Sequence, residues 1–275
     1  MDLLMRAYEE CGYDAYNVGI NDLALGTDRL KQYASEVNFP FLSANISDSA
    51  GNHIFRPYTL VEYQGHQIGV VGVTSPSPAN KTLEYKDELN TARQMREELS
   101  DRTDYLILLA SVWNPVAKTL REELRGYDLI IRSHTNRASR RLQPTAEGDG
   151  YYLQTGDEGQ YLHVIEMEGA FQTDVTLTDL TIEKQRLRFT ESRLARLRDR
   201  ADGKPLEKAF QGNESTLAFI EKLQGQKATL EEKIDRTQYY IALHLQSLGP
   251  EIEGEEKWLS AIEKFNTYLK RIKSN

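Results

Sequence analysis

Tyr58-Thr59-Leu60-Val61-Glu62-Tyr63-Gln64-Gly65-His66-Gln67-Ile68-Gly69-Val70-Val71-Gly72-Val73 reads as two strands joined by a short glycine-containing connection. β-branched and aromatic residues dominate both runs, and Gln64-Gly65-His66 supplies the turn that an antiparallel hairpin needs. Short apolar runs of the same kind recur on either side: Ala15-Tyr16-Asn17-Val18, Phe41-Leu42-Ser43-Ala44, Tyr105-Leu106-Ile107-Leu108-Leu109 and Leu129-Ile130-Ile131. Amphipathic stretches alternate with them at about 3–11, 28–36, 91–99 and 115–124. Such alternation predicts an α/β layered sheet, and the hairpin makes that sheet mixed. Residues 151–155 and 161–166 flank Gly156-Asp157-Glu158-Gly159 and read as a second hairpin-like pair, with 175–180 as a further strand.

Near residue 182 the pattern changes to long, charged helical periodicity, which predicts an α/β domain over 1–181 and an α-helical domain over 182–275. Gly203-Lys204-Pro205, Gly212-Asn213 and Gly249-Pro250 break the helices. A seven-residue register sets Ile220, Ile234, Ile241 and Leu248 at one seam position and Leu223 and Leu230 at the other. Lys227, Thr237 and His244 interrupt the seam. This is the pattern of a helical hairpin or a coiled coil, closed within the chain or against a second copy. A last helix places Trp258, Ile262, Phe265, Leu269 and Ile272 on one face.

The 275 residues carry 34 Lys+Arg against 42 Asp+Glu, a net charge of −8 that argues against a phosphate backbone as the main partner. Hydrophobic residues at 39% and charged ones at 28% lean to the polar side of globular, as exposed helices would make them. Cys11 is the single cysteine, which excludes an intrachain disulfide and a cysteine-rich zinc site. No run of about 18 apolar residues is present, so no membrane span is expected. The opening Met1-Asp2-Leu3-Leu4-Met5-Arg6 has no export-signal core.

Five segments, in order, resemble the 5′-nucleotidase branch of the calcineurin-like metallophosphatases. Gly12-Tyr13-Asp14-Ala15-Tyr16-Asn17-Val18-Gly19 is similar to the run that precedes that family's G-N-H-E motif. Phe39-Pro40-Phe41-Leu42-Ser43-Ala44-Asn45-Ile46 is similar to its "fPvLsANv" segment, and Gly65 to Thr74 to its "G-x-k-I-G-v-i-G-l-t" strand. Asp128-Leu129-Ile130-Ile131 stands where a strand leads into G-H-x-H, and Thr155-Gly156-Asp157-Glu158-Gly159-Gln160-Tyr161-Leu162 matches a late "a-G-e-y-G-k-y-l-G" segment. The resemblance covers roughly residues 1–180. It implies a four-layer α/β/β/α sandwich with a two-metal phosphoesterase centre at the strand ends.

It also implies that the metal motifs are degenerate. Gly19-Ile20-Asn21-Asp22 stands in place of G-N-H-E, so Ile20 replaces a ligand Asn and Asn21 replaces a His. Leu109-Ala110-Ser111 puts Ser111 at a ligand His, and Ser133-His134-Thr135-Asn136 keeps only His134 of G-H-x-H, with Asn136 at the second position. The family's opening D-x-H and G-D motifs would lie upstream of Met1 with the first two strands, which would leave an unpaired sheet edge. Asn21, Asp22 and His134 are therefore vestigial catalytic positions, and Ile20, Ser111, His134 and Asn136 vestigial metal positions. No cofactor is expected; an active relative would need two divalent ions such as Mn, Zn, Mg or Ca.

Several residues carry two readings. His134 is either a former ligand or a histidine bonded to a neighbouring loop. Arg132, Arg137, Arg140 and Arg141 form either an anion-binding cluster or a solvated loop. Trp113 either plugs the former pocket or precedes a helix that Asn114 caps and Pro115 begins. Cys11 reads as an inert, partly buried thiol.

The resemblance with these losses implies a non-catalytic scaffold or interaction module. The alternative is a metal-dependent phosphoesterase completed by an upstream segment or a partner chain. The expected partner is a protein, met through the helices or the open sheet edge, with a homodimer as one form. Family architecture implies an exported, periplasmic bacterial setting and points to a multihaem cytochrome partner; the chain itself has no C-x-x-C-H.

Overall fold

The computed structural model describes residues 2–157, 159–168, 177–249 and 254–273. In chain order its elements begin with α1 (Asp2–Glu10), β1 (Tyr16–Asn17), α2 (Thr27–Glu36), β2 (Phe41–Leu42), β3 (Ile46–Ser47), β4 (Tyr58–Tyr63) and β5 (His66–Thr74). Next come β6 (Glu84–Tyr85), α3 (Glu88–Leu99), β7 (Tyr105–Ser111), α4 (Asn114–Glu123), β8 (Leu129–Ser133), β9 (Gln143–Pro144) and β10 (Tyr151–Gln154). The last are β11 (Tyr161–Glu168), β12 (Thr178–Asp179), α5 (Thr181–Arg200), α6 (Leu206–Ala209), α7 (Glu214–Asp235), β13 (Tyr240–Ser247) and α8 (Glu256–Lys273).

The β4–β5 hairpin forms as its sequence predicts, with Tyr63 opposite His66. Gln64 and Gly65 both take positive φ, the two-residue turn whose twist matches that of paired strands. β5 then pairs in parallel with β7, β7 with β8, and β8 with β10, giving a mixed six-stranded sheet in the order β4-β5-β7-β8-β10-β9. Parallel central strands are buried on both faces, and each face here has its own core. Val71, Val73, Leu106, Leu108, Ile130 and Tyr152 pack against Ala92 and Leu99 of α3 and Ala117 and Leu120 of α4. Residues of opposite parity, Leu129, Ile131 and Leu153, pack against Ile241 and Leu243 of β13 and Ile165 and Met167 of β11.

The second sheet has the order β11-β13-β12. On the far side of β13, Tyr240 and Ala242 pack with Leu180 and Ile234, beneath α5 and α7. The layers are therefore helix, sheet, sheet, helix. α5 and α7 form a helical hairpin in which Leu194, Leu197 and Ala201 bury Ile220 and Leu223.

Two local expectations are corrected. Residues 240–247 are a strand and not a continuation of the seam helix, because Ile241 and Leu243 fill the gap between the two sheets at a period of two. Residues 151–154 and 161–168 do not pair with each other. β10 joins β8 in parallel, Tyr152 opposite Ile130, while β11 runs antiparallel to β13, Ile165 opposite Leu243. Among the described strands β11 is an edge, with Leu162 and Val164 exposed. α8 carries the expected face as far as Ile262; the side chains of Phe265, Leu269 and Ile272 lie outside the described residues. Cys11 is exposed, not partly buried. No described helix is long and apolar enough to cross a membrane.

A separate core anchors the segment that precedes the hairpin. Val18, Phe39, Phe41, Ile46 and Phe55 pack with Leu23, Leu30 and Tyr33. Gly72 lets this unit approach β5: a Cβ there would stand 2.4 Å from Asn17 Oδ1 and 2.9 Å from Leu42 Cβ. The approach brings the loop after β1 to the ends of β5 and β7.

Candidate functional site

In a parallel sheet the loops beyond the carboxyl ends of the strands meet on one side. Here the turn after β1, the ends of β7 and β8 and the loop after β10 enclose a cleft of about 460 Å³. Its walls include Ile20, Asn21, Asp22, Ser111, His134 and Asn136, so residues from three separate motifs converge there. Ser133, Thr135, Gly156 and Asp157 complete it. Asp157 was not singled out from the sequence, although it lies within the late family-like segment; the signal was the segment's position directly after a buried strand.

Ile20 is 2% exposed, its side chain in the interior. Its backbone N–H donates to Ser111 Oγ at 3.1 Å, and Ser111 is also 2% exposed. The Ser111 hydroxyl thus ties the turn after β1 to the end of β7. Asp22 Oδ2 accepts from the Gly19 N–H at 2.8 Å and from the Tyr16 hydroxyl at 2.6 Å. Burial, with the Asp22 carboxylate next in weight, raises the Tyr16 phenol far above its ordinary value, so it remains a donor. A Cβ at position 19 would lie 3.1 Å from Asp22 Oδ2 and 3.4 Å from Ser111 Oγ, so the turn leaves little room for a larger residue.

His134 sits at φ 58°, a left-handed conformation uncommon outside glycine. Its ring meets Trp113 edge-on, centroids 4.6 Å apart, and the Trp113 indole N–H donates to the Pro76 carbonyl at 3.2 Å. Trp113 immediately precedes α4 and is not among the residues that wall the cleft. Asn114 does not cap α4 with its side chain: its Oδ1 accepts from Arg132 at 2.6 Å instead.

Arg132 differs from the arginines that follow it in sequence. It is 5% exposed, while Arg137, Arg140 and Arg141 are exposed. Alternation along β8 turns Arg132 to the α4 side with Ile130, away from Ser133 and the cleft.

The donors present do not fit a two-metal phosphoesterase centre. Such a centre needs several anionic or imidazole groups converging on each ion. Among the described residues no three His, Cys, Asp or Glu side chains come together in that way. Ile20 has nothing to donate, Asn21, Ser111 and Asn136 are neutral, and one Asp22 oxygen is already engaged twice. What the cleft offers is a polar surface with one imidazole and two carboxylates, Asp22 and Asp157.

Two layers of sheet between two layers of helix, with a cleft at the ends of parallel strands, define an α/β/β/α sandwich. The chain is similar to 5′-nucleotidase from Bos taurus, 26% identical over 171 residues that cover 56% of this chain and 30% of that one. It is 30% identical to 5′-nucleotidase from Diplobatis ommata over 140 residues, 46% of this chain and 24% of the other. The solved structure of a 5′-nucleotidase precursor from Thermus thermophilus superposes with a TM-score of 0.55 at 20% identity, over 62% of this chain and 38% of that one. No protein-family model matches the chain. About half of the chain is thus similar in sequence to 5′-nucleotidases, and it shares its fold with the Thermus thermophilus structure. It spans less than a third of the length of these two curated relatives.

Proposed function

We propose that the chain is a non-catalytic 5′-nucleotidase-like protein that serves as a scaffold or interaction module. The observation that carries this reading is the conversion of the cleft's donors into structural groups: Ser111 holds the Ile20 N–H, and Asp22 holds the Gly19 turn and Tyr16. A metal-activated hydroxide needs an electropositive ion held by a charged ligand set. Ile20, Asn21, Ser111 and Asn136 supply no charge. The binding surface in this proposal is the exposed side of the second sheet and its helices, where Leu162, Val164, Phe189 and Phe219 are exposed. Its partner is a protein, with a second copy and a multihaem cytochrome as the two forms to test, in an exported setting.

The competing reading is a metal-dependent phosphoesterase whose missing ligands come from another segment or chain. It is favoured by one feature, the grouping of Asp22, His134, Asn136 and Asp157 around a single open cleft. Turnover of an aryl phosphate with Mn²⁺ or Zn²⁺ separates the two. The scaffold reading expects no rate above the metal-only control; metal-dependent hydrolysis that disappears in His134→Ala would overturn it.

A further inference from the structure

Beneath α4, on the side of β8 opposite the cleft, lies a second recess of about 160 Å³ walled by Asn114, Ala117, Lys118, Arg121, Arg132, Tyr152 and Gln154. The volume is that of about five water molecules in the liquid. Three of its walls are cationic side chains.

Arg132 is the unusual member. An arginine cannot shed its charge, and a charge removed from water is normally met by an opposite one. Arg132 is 5% exposed, yet every acceptor it reaches among the described residues is neutral. These are Gln154 Oε1 at 3.2 Å, Asn114 Oδ1 at 2.6 Å, the carbonyls of Val112 and His134 at 3.3 and 3.4 Å, and the Tyr152 hydroxyl. Its Nε–H is buried and meets no hydrogen-bond acceptor among the described residues. Tyr152 and Gln154 come from β10, and their register opposite Ile130 and Arg132 sets them on the same face.

Arg121 adds a second guanidinium, anchored by its bond to Gln143 Oε1 at 2.9 Å. Its ion-pair partner among the described residues is Glu122 at 3.5 Å, an exposed pair that solvent screens. Lys118, one turn earlier on α4, is exposed. The acid nearest in sequence to β10, Asp149, is committed elsewhere, to the Gly126 N–H and the Thr145 hydroxyl.

We propose that this recess binds a small oxyanion of phosphate or sulfate size, with Arg132 at its base and Arg121 and Lys118 on its exposed wall. The anion supplies the negative charge that Arg132 lacks. Planar guanidinium groups suit oxyanions because they present parallel N–H donors. The site is separate from the strand-end cleft and stands whether or not that cleft is catalytic.

Isothermal titration of the full chain with inorganic phosphate, at constant ionic strength, tests the proposal. The expected result is one phosphate per chain, displaced by sulfate, with affinity lowered about tenfold or more in the double variant Lys118→Ala, Arg121→Ala, which removes two charge-assisted contacts. Both side chains are at the surface, so that variant is expected to fold. Arg132→Gln, if folded, abolishes binding. No heat of phosphate binding in the wild-type chain, or the same affinity in the double variant, overturns the proposal.

Discussion

Replacing Leu243 with Ala tests whether the strand that follows the helical hairpin is integral to the sandwich. Leu243 is fully buried in β13, opposite Ile165 of β11, and packs in one cluster with Ile241, Leu129, Leu142 and Leu153. Its backbone N–H also donates to Thr181 Oγ1 at the start of α5, at 2.9 Å. The substitution leaves that bond intact and removes only side-chain volume between the sheets. Buried Leu→Ala changes cost about 3–5 kcal/mol when the walls cannot collapse, and two facing sheets give them little freedom to do so. For a chain of this size about 3 kcal/mol lowers Tm by roughly 6–12 °C. Scanning calorimetry should show one transition moved by that amount, because the cluster joins residues on both sides of position 181. Leu162→Ala, on the exposed edge strand, should shift stability by less than about 0.5 kcal/mol. Two separate transitions, with only the smaller one displaced by Leu243→Ala, would refute the reasoning.

Two further substitutions probe individual groups. Burial raises the Asp128 carboxyl to about 6, against the pull of the Leu106 N–H that it accepts at 2.8 Å, with Asp149 adding to the rise. A folded value above the unfolded one stabilises below about pH 4 and loses that contribution as pH climbs through 6. Asp128→Asn, which keeps an amide oxygen for Leu106, should therefore gain about 1–3 kcal/mol over the parent between pH 4 and pH 7 in urea titrations; a gap that does not widen with pH contradicts this. Ser111→Ala leaves the buried Ile20 N–H without its acceptor and should cost about 1–3 kcal/mol in the same assay, whereas a loss under about 0.5 kcal/mol means that the loop re-forms the bond elsewhere.

The parts of the fold legible in the sequence are those set by local periodicity. The hairpin from Tyr58 to Val73 needs only two apolar runs and a Gln64-Gly65 turn, and the α3 and α4 helices need only one amphipathic face each. β13 was hidden because Ile241 and Leu248 extend a seven-residue spacing begun in the preceding helix, while the strand's partner β11 lies more than 70 residues upstream. No local signal reports such a pairing. The positions 20, 21, 22, 111, 134 and 136 meet in one cleft because strand ends in a parallel sheet must converge. Arg132 was grouped with Arg137, Arg140 and Arg141 by sequence proximity alone. A strict two-residue alternation from Ile130 would have turned it to the opposite face, beside Tyr152 and Gln154.

The central claim is that a hydrocarbon side chain and neutral polar groups have replaced the ligands of a two-metal centre. Elemental analysis of the purified chain, loaded with Mn²⁺ or Zn²⁺ and then dialysed, tests it most directly. The account predicts well under one ion per chain, unchanged in His134→Ala; two ions retained per chain, and lost in that variant, would contradict it.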